Sequence, residues 1–286
     1  MTRSRALFKY YGGKALLSPW IVEHLPPHQC YVEPFCGAAN VLFAKERSKI
    51  EVVNDLDRGV VSALQACRDH PEELAHLLSL TPYSRTEFVE AIKACRGGYS
   101  EDLLESARLF LVLMMQGRNG CTEQFPGNWS HTRPVNGNCG AEGTWARLPE
   151  RVWKVTERLQ GVVVECFPAE AVIRFYDQPG TLFYVDPPYH PRTAETKWYK
   201  HRLTVAAHEA LAAQLHGLQG MVVLSGYRHA DYDRWYEGWE RVDRGQITTA
   251  SCGDMRGRGA PAKRVESLWF NPLAWERLRA AQEATR

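Results

Sequence analysis

The sequence predicts an α/β fold with a nucleotide-binding edge, on three observations. Thr181 to Val185 is a short apolar, β-branched and aromatic run that stops abruptly at Asp186-Pro187-Pro188-Tyr189, as a buried strand does at its carboxyl end. Cys30 to Phe43 reads as strand, tight turn and helix, and a second strand follows that ends in an acid. Between these two units, residues 58–159 change to helical periodicity and loop, as an insertion into the sheet would.

The 181–189 segment offers the most chemistry. Neither proline can donate a ladder hydrogen bond, so their carbonyls are left as acceptors at the edge where open α/β sheets bind ligands. The Asp186 carboxylate and the Pro187 carbonyl can each accept one N–H of a planar exocyclic amine. That draws the nitrogen lone pair out of conjugation and aims it at an electrophile, while Tyr189 offers a ring for stacking.

Upstream, Phe8-Lys9-Tyr10-Tyr11-Gly12-Gly13-Lys14 brackets two aromatics and two glycines with lysines, a set that can place Lys14 on a carboxylate and an aromatic on a ring. Ser18 and Pro19 open a helix that stops before Pro26-Pro27. In the strand–turn–helix unit, Gly37 permits close approach to a ligand. Only one glycine is present, so this is not the dinucleotide fingerprint. The strand Ile50 to Val53 runs into Asn54-Asp55, and an acid at this point has two oxygens for the two hydroxyls of a ribose.

The insertion reads as a helix over Val60 to Leu80, a capping box at Ser84-Arg85-Thr86-Glu87 opening a helix that ends near Gly97-Gly98, and a helix capped by Ser100 that ends at Gly117. From Gly117 to Trp145 runs an aperiodic tract rich in Gly, Asn and Arg with Trp and Phe interleaved. Such a tract suits contact with base edges and stacked bases, with Arg118, Asn119 and Gly120 at its start. The sheet then resumes over Gly161 to Cys166. His190 to Arg202 is basic and aromatic, carrying Arg192, Lys197, Tyr199 and Lys200 opposed only by Glu195, and could follow a phosphate backbone. Thr204 caps a further helix, Met221 to Leu224 is another buried strand, and Arg264 to Pro272 is a terminal one. His208 reads as a surface or structural histidine rather than a base.

Composition bounds these readings. The length of 286 residues allows one large domain or a core with an insertion, and a net charge of +2 leaves nucleic-acid binding to local patches. Eight cysteines contain no C-x-x-C pair, so neither a metal site nor a disulfide framework is expected. The longest apolar run, Leu109 to Met115, is too short to span a membrane, and a reducing cytoplasm fits best.

Taken in order, Phe8 to Lys14, Val32 to Phe43, the Asp55 region, Thr181 to Tyr189, Leu224 to Tyr227 and Arg264 to Pro272 resemble successive blocks of the DNA adenine-N6 methyltransferase family in its α-type arrangement. The resemblance implies an S-adenosylmethionine-dependent methyltransferase (Rossmann-like) sheet over 1–57 and 160–286. A mainly helical target-recognition domain would be inserted at 58–159. It implies that Tyr10, Lys14, Glu33, Phe35, Gly37, Asp55 and Asp186 hold S-adenosylmethionine, with Lys14 near its carboxylate and Asp55 on the ribose, and that S-adenosylhomocysteine is the product. Asp186, Pro187, Pro188 and Tyr189 would act on an adenine turned out of double-stranded DNA, without a metal. A restriction endonuclease of the same system is an implied partner, and a monomer or weak dimer the implied state. The same scaffold suits cytosine N4, RNA or a protein amide, and a DNA-binding relative without catalysis is the reading from another class. Two positions depart from the family pattern. Ala39 stands where a glycine is usual and is expected to put a Cβ near the cofactor. Pro168 takes the place of the acid for the cofactor's adenine, so that contact is lost or moves to Glu165 or Glu170.

Overall fold

The computed structural model describes residues 6–117, 129–130, 140–193, 201–244, 247–248 and 263–284. Seven strands form one sheet: β1 (Cys30–Glu33), β2 (Ile50–Asn54), β3 (Val162–Glu165), β4 (Thr181–Val185), β5 (Met221–Tyr227), β6 (Glu240–Asp243) and β9 (Glu266–Phe270). A separate ribbon pairs β7 (Ile247–Thr248) with β8 (Lys263–Arg264). The sheet order is β3-β2-β1-β4-β5-β9-β6, parallel through the first five strands and antiparallel at β9 and β6. Strand order reverses between β1 and β4, and a ligand crevice is expected outside their carboxyl ends. All five residues of β4 are buried, as its unbroken apolar run requires of a central parallel strand.

Helices cover both faces. Tyr31, Val53, Leu182 and Val223 on one face belong to the same buried cluster as Val60 and Leu64 of α2 (Arg58–Asp69), Phe110 of α5 (Leu103–Gln116) and Val155 of α7 (Leu148–Leu159). Of the 58–159 helices, α2 packs directly on the sheet, where Arg68 Nη1 donates to the Val162 carbonyl of β3 at 2.8 Å. On the other face, Val32, Phe183 and Val185 meet Ile173 of α8 (Ala169–Tyr176), Leu215 of α9 (Val205–His216) and Trp235 of α10 (Ala230–Trp235). The remaining helices are α1 (Ser18–Glu23), α3 (Pro71–Leu80), α4 (Arg85–Arg96), α6 (Ala141–Ala146) and α11 (Pro272–Ala284). Among the described residues no helix is long and apolar enough to cross a membrane.

Several elements differ from the sequence reading for local reasons. The helix expected over Val60 to Leu80 is two, because Pro71 has no N–H to continue the first and opens α3 instead. Ser84 caps α4 through Glu87 N at 3.1 Å, but the reciprocal half of the capping box is missing: Ser84 N donates to Gln116 Oε1, and Glu87 pairs with Arg108. Asp102, not Ser100, caps α5. The helix expected after Gly37 is a series of turns. Ala39 sits at φ +50°, a left-handed conformation that cannot propagate a right-handed helix, and Leu42 N–H goes to Glu33 Oε1 at 2.7 Å instead of a backbone carbonyl.

Candidate active site

The carboxyl ends of β1, β2, β3 and β4 open onto a cleft. Residues 10–14, 33–38, 40–41, 54–56, 167–170, 184, 186 and 188 line it, with His201 and Leu203. Asn54 holds three strand exits together: Nδ2 donates to the Pro34 and Phe167 carbonyls at 2.9 and 3.0 Å, and Oδ1 accepts Phe167 N at 2.9 Å. Nothing in its sequence context announced that role.

Lys14 and Asp186, 172 residues apart, meet at the mouth of β4. Lys14 Nζ lies 2.7 Å from both Asp186 oxygens, and its side chain is 5% exposed against 16% for Asp186. Burial pushes the Asp186 carboxyl up, the Lys14 charge opposes it, and the outcome is about 6. Burial pulls on Lys14 in the other direction, but the charges of Asp186 and Glu266 outweigh it and hold its pKa above the ordinary lysine value. The pair therefore stands ionised at neutral pH. The free lysine expected for a ligand carboxylate is committed to the protein's own aspartate.

Among the described residues, two further carboxylates on the cleft have no cation at ion-pair distance. Glu33 is 2% exposed, accepts the Tyr31 hydroxyl and Leu42 N at 2.7 Å each, and is raised by burial to about 7. Asp55 takes Gly37 N and Asp57 N at 2.9 Å, one on each oxygen. Burial first, and the nearby Asp57 charge second, push it up to about 7. The Leu56 N–H bears on the same carboxylate, which keeps acceptor capacity for a further donor.

Gly37 is required by the protein itself as much as by any ligand. Its φ is +48°, and a Cβ there would lie 2.8 Å from the Tyr10 ring. Tyr10 thus packs over the turn and borders the cleft, as does the half-buried Phe35. Ala39 is a correction: it is fully buried and not part of the cleft lining, so its cost is a left-handed backbone, not a Cβ against the cofactor. Beside Pro168, Phe167 is 56% exposed and borders the cleft, as does Glu170. Glu165 instead accepts the Tyr176 hydroxyl at 3.0 Å. Of the two acids expected to replace the missing one, Glu170 alone reaches the cleft.

Tyr189 differs from the open aromatic face that the sequence suggests. It is 5% exposed, its ring meets Tyr227 edge-on at 4.5 Å with Lys14 Nζ 4.7 Å from its centroid, and its hydroxyl donates to Glu266 Oε1 at 2.5 Å. Pro187 is buried and Pro188 borders the cleft. Just beyond, His190 is fully buried with Nε2 3.1 Å from Asp231 Oδ2, and His229 Nδ1 lies 3.3 Å from the same oxygen. The three are close enough to hold a metal ion. However, each imidazole Nδ1 faces a backbone N–H, of Arg192 at 3.3 Å and of Asp231 at 3.1 Å. For His190 that places the proton on Nε2, facing Asp231, and disfavours ligation through either of its nitrogens. His208 is buried, not at the surface, with Nδ1 3.3 Å from the Tyr232 hydroxyl. Arg192 is 70% exposed, 3.9 Å from Asp231. Arg118, Asn119, Gly120, Lys197, Tyr199 and Lys200 lie outside the described residues.

The family model for D12 class N6 adenine-specific DNA methyltransferase matches residues 10–249. The chain is 26% identical over 253 residues to the DNA adenine methylase of Escherichia coli (strain K12), covering 83% of this chain and 86% of that relative. The DNA adenine methylase of Salmonella typhi matches to the same extent.

Proposed function

The chain belongs to the D12 class of N6 adenine-specific DNA methyltransferases and methylates adenine in DNA; from that premise we propose that it is a site-specific enzyme, acting on an adenine turned out of double-stranded DNA with S-adenosylmethionine as donor. Methyltransferases of this class generally use that donor, and the cleft suits it. The Asp55 carboxylate can accept from a diol, and Phe167 offers an exposed ring to a purine. Tyr10, Glu33, Phe35 and Gly37 form the wall between them. When bound, the donor supplies a methyl group on a sulfonium, already joined to its leaving group.

The observation that carries the reading is the ionised Lys14–Asp186 pair at the carboxyl end of β4, beside the strand-order reversal. Asp186 and the Pro187 carbonyl accept the two N–H groups of the adenine amine and orient its lone pair. As positive charge builds on that nitrogen, the fixed Asp186 charge stabilises it at no reorganisation cost. Lys14 keeps the carboxylate ionised and in place, which orientation-dependent transfer needs. Tyr189 and Pro188 wall the base pocket. Arg192 is suited to a DNA phosphate, and the 58–159 region is the part of the chain assigned to target recognition. Turning the base out costs a few kcal/mol.

The test is to incubate the protein with S-adenosylmethionine and unmethylated DNA, digest to nucleosides and identify the product by mass spectrometry. N6-methyladenine made from duplex DNA in one sequence context is the expected result. N4-methylcytosine, or methylation of RNA or protein alone, would contradict the substrate assignment, and methylation of every adenine alike would contradict site specificity.

A further inference from the structure

We propose that Glu266 is a positioning residue for methyl transfer: it fixes the ring of Tyr189 and, through it, the floor under the Lys14–Asp186 pair. The inference rests on the role given to Asp186 above. Glu266 begins β9, and because β9 runs antiparallel to β5, this first residue pairs with Tyr227 at the edge where the parallel strands end. A carboxylate on an otherwise buried strand is thereby delivered to the catalytic edge, where it is 2% exposed.

Its contacts point to function more than to stability. Oε1 accepts two hydroxyls, Tyr189 at 2.5 Å and Ser225 at 2.8 Å. Burying a carboxylate to hold two hydroxyls is a poor stabilising device, since an apolar side chain of similar size would cost less. It is a precise one for orientation. The bond fixes the far end of the Tyr189 ring axis, Tyr227 at 70° limits rotation about that axis, and Lys14 Nζ sits over the ring. Tyr189 is three residues from Asp186, so the catalytic turn is pinned at both ends, by Lys14 and by Glu266.

Glu266 also acts on Asp186 through charge. The ionisable groups that bear on the pair are Lys14 from the N-terminal loop, Glu33 from β1, Tyr184 from β4, Tyr227 from β5, Tyr232 from α10 and Glu266 from β9. Of these, Glu266 raises both the Asp186 and the Lys14 pKa. Removing its charge while keeping its oxygen should lower the Asp186 value and move the acid limb of activity to lower pH.

The experiment compares wild type, Glu266→Gln and Glu266→Ala by the pH dependence of kcat/KM for the donor, which reports the free enzyme, and by kcat and donor affinity at neutral pH. Glu266→Gln should keep most of kcat, because its amide oxygen still accepts, and shift the acid limb downward. Glu266→Ala should lose kcat on the order of 10-fold to 100-fold with donor affinity nearly unchanged. A wild-type limb that Glu266→Gln leaves in place would overturn the inference, as would a Glu266→Ala variant that loses affinity and kcat together. A wild type with no acid limb at all would instead remove the Asp186 reading beneath it.

Discussion

The two halves of the cleft treat their carboxylates in opposite ways. On the β4 side, Asp186 has a buried cation on both oxygens and stays ionised at neutral pH. On the β1 and β2 side, Glu33 and Asp55 have only N–H and O–H donors, and burial brings both near half-protonation at pH 7. One half is finished before anything binds, as a group that must stabilise developing charge should be. The other is short of donors until a ligand brings them, as a binding pocket should be.

The largest expected effect breaks the finished half. Asp186→Ala should lose stability, because it leaves the buried Lys14 with only the Glu266 charge. In the fraction that circular dichroism shows folded, it should reduce single-turnover N6-methyladenine formation by about 1000-fold or more through lost amine orientation and charge stabilisation. Methylation within a few-fold of wild type would remove Asp186 from the chemistry.

A smaller effect sharpens the binding half. The folded-state pKa of Asp55 is raised to about 7, so ionising it costs stability as pH rises from the ordinary carboxylate range to that value. A diol that donates to the ionised form reverses that cost. S-adenosylmethionine should therefore bind more tightly, and raise the melting temperature more, above pH 7 than below it. Asp55→Asn should bind about tenfold less tightly, for one charged hydrogen bond weakened, with the pH dependence flattened. Calorimetric titration at two pH values checks this; Glu33 leaves a residual pH dependence, so an Asn variant with the full wild-type dependence would count against it.

The smallest effect lies between the halves. Ala39 at φ +50° carries a left-handed strain of roughly 1–2 kcal/mol, partly offset in Ala39→Gly by the greater chain entropy of glycine. The substitution should raise the melting temperature by a few degrees without changing donor affinity, because Ala39 does not line the cleft. A change in affinity at constant stability would restore the idea that this position touches the cofactor.

Contrasts of this kind were only partly legible in the sequence. The β4 strand, its Asp-Pro-Pro-Tyr stop, the turn at Gly37, Asp55 and the caps at Ser84 and Thr204 were readable, because each depends on local pattern or local hydrogen bonding. The amphipathic spacing of Leu148, Val152, Val155 and Leu159 in α7 was equally local and was passed over beside the long aperiodic tract. What pattern could not give were partnerships made by topology: Lys14 with Asp186, Asn54 with Phe167, Tyr189 with Glu266. The one available hint of the last was a lone acid in the apolar run Val265 to Phe270.

The most direct test of the compensated Lys14–Asp186 pair is the pH profile of kcat/KM in wild type and Lys14→Ala. Wild type should lose activity as pH falls through about 6. Without the ammonium, burial and the Glu266 charge act on Asp186 unopposed, so the limb should move to higher pH, and activity lost at neutral pH should return in part on raising it. A limb at the same pH in both proteins would contradict the account.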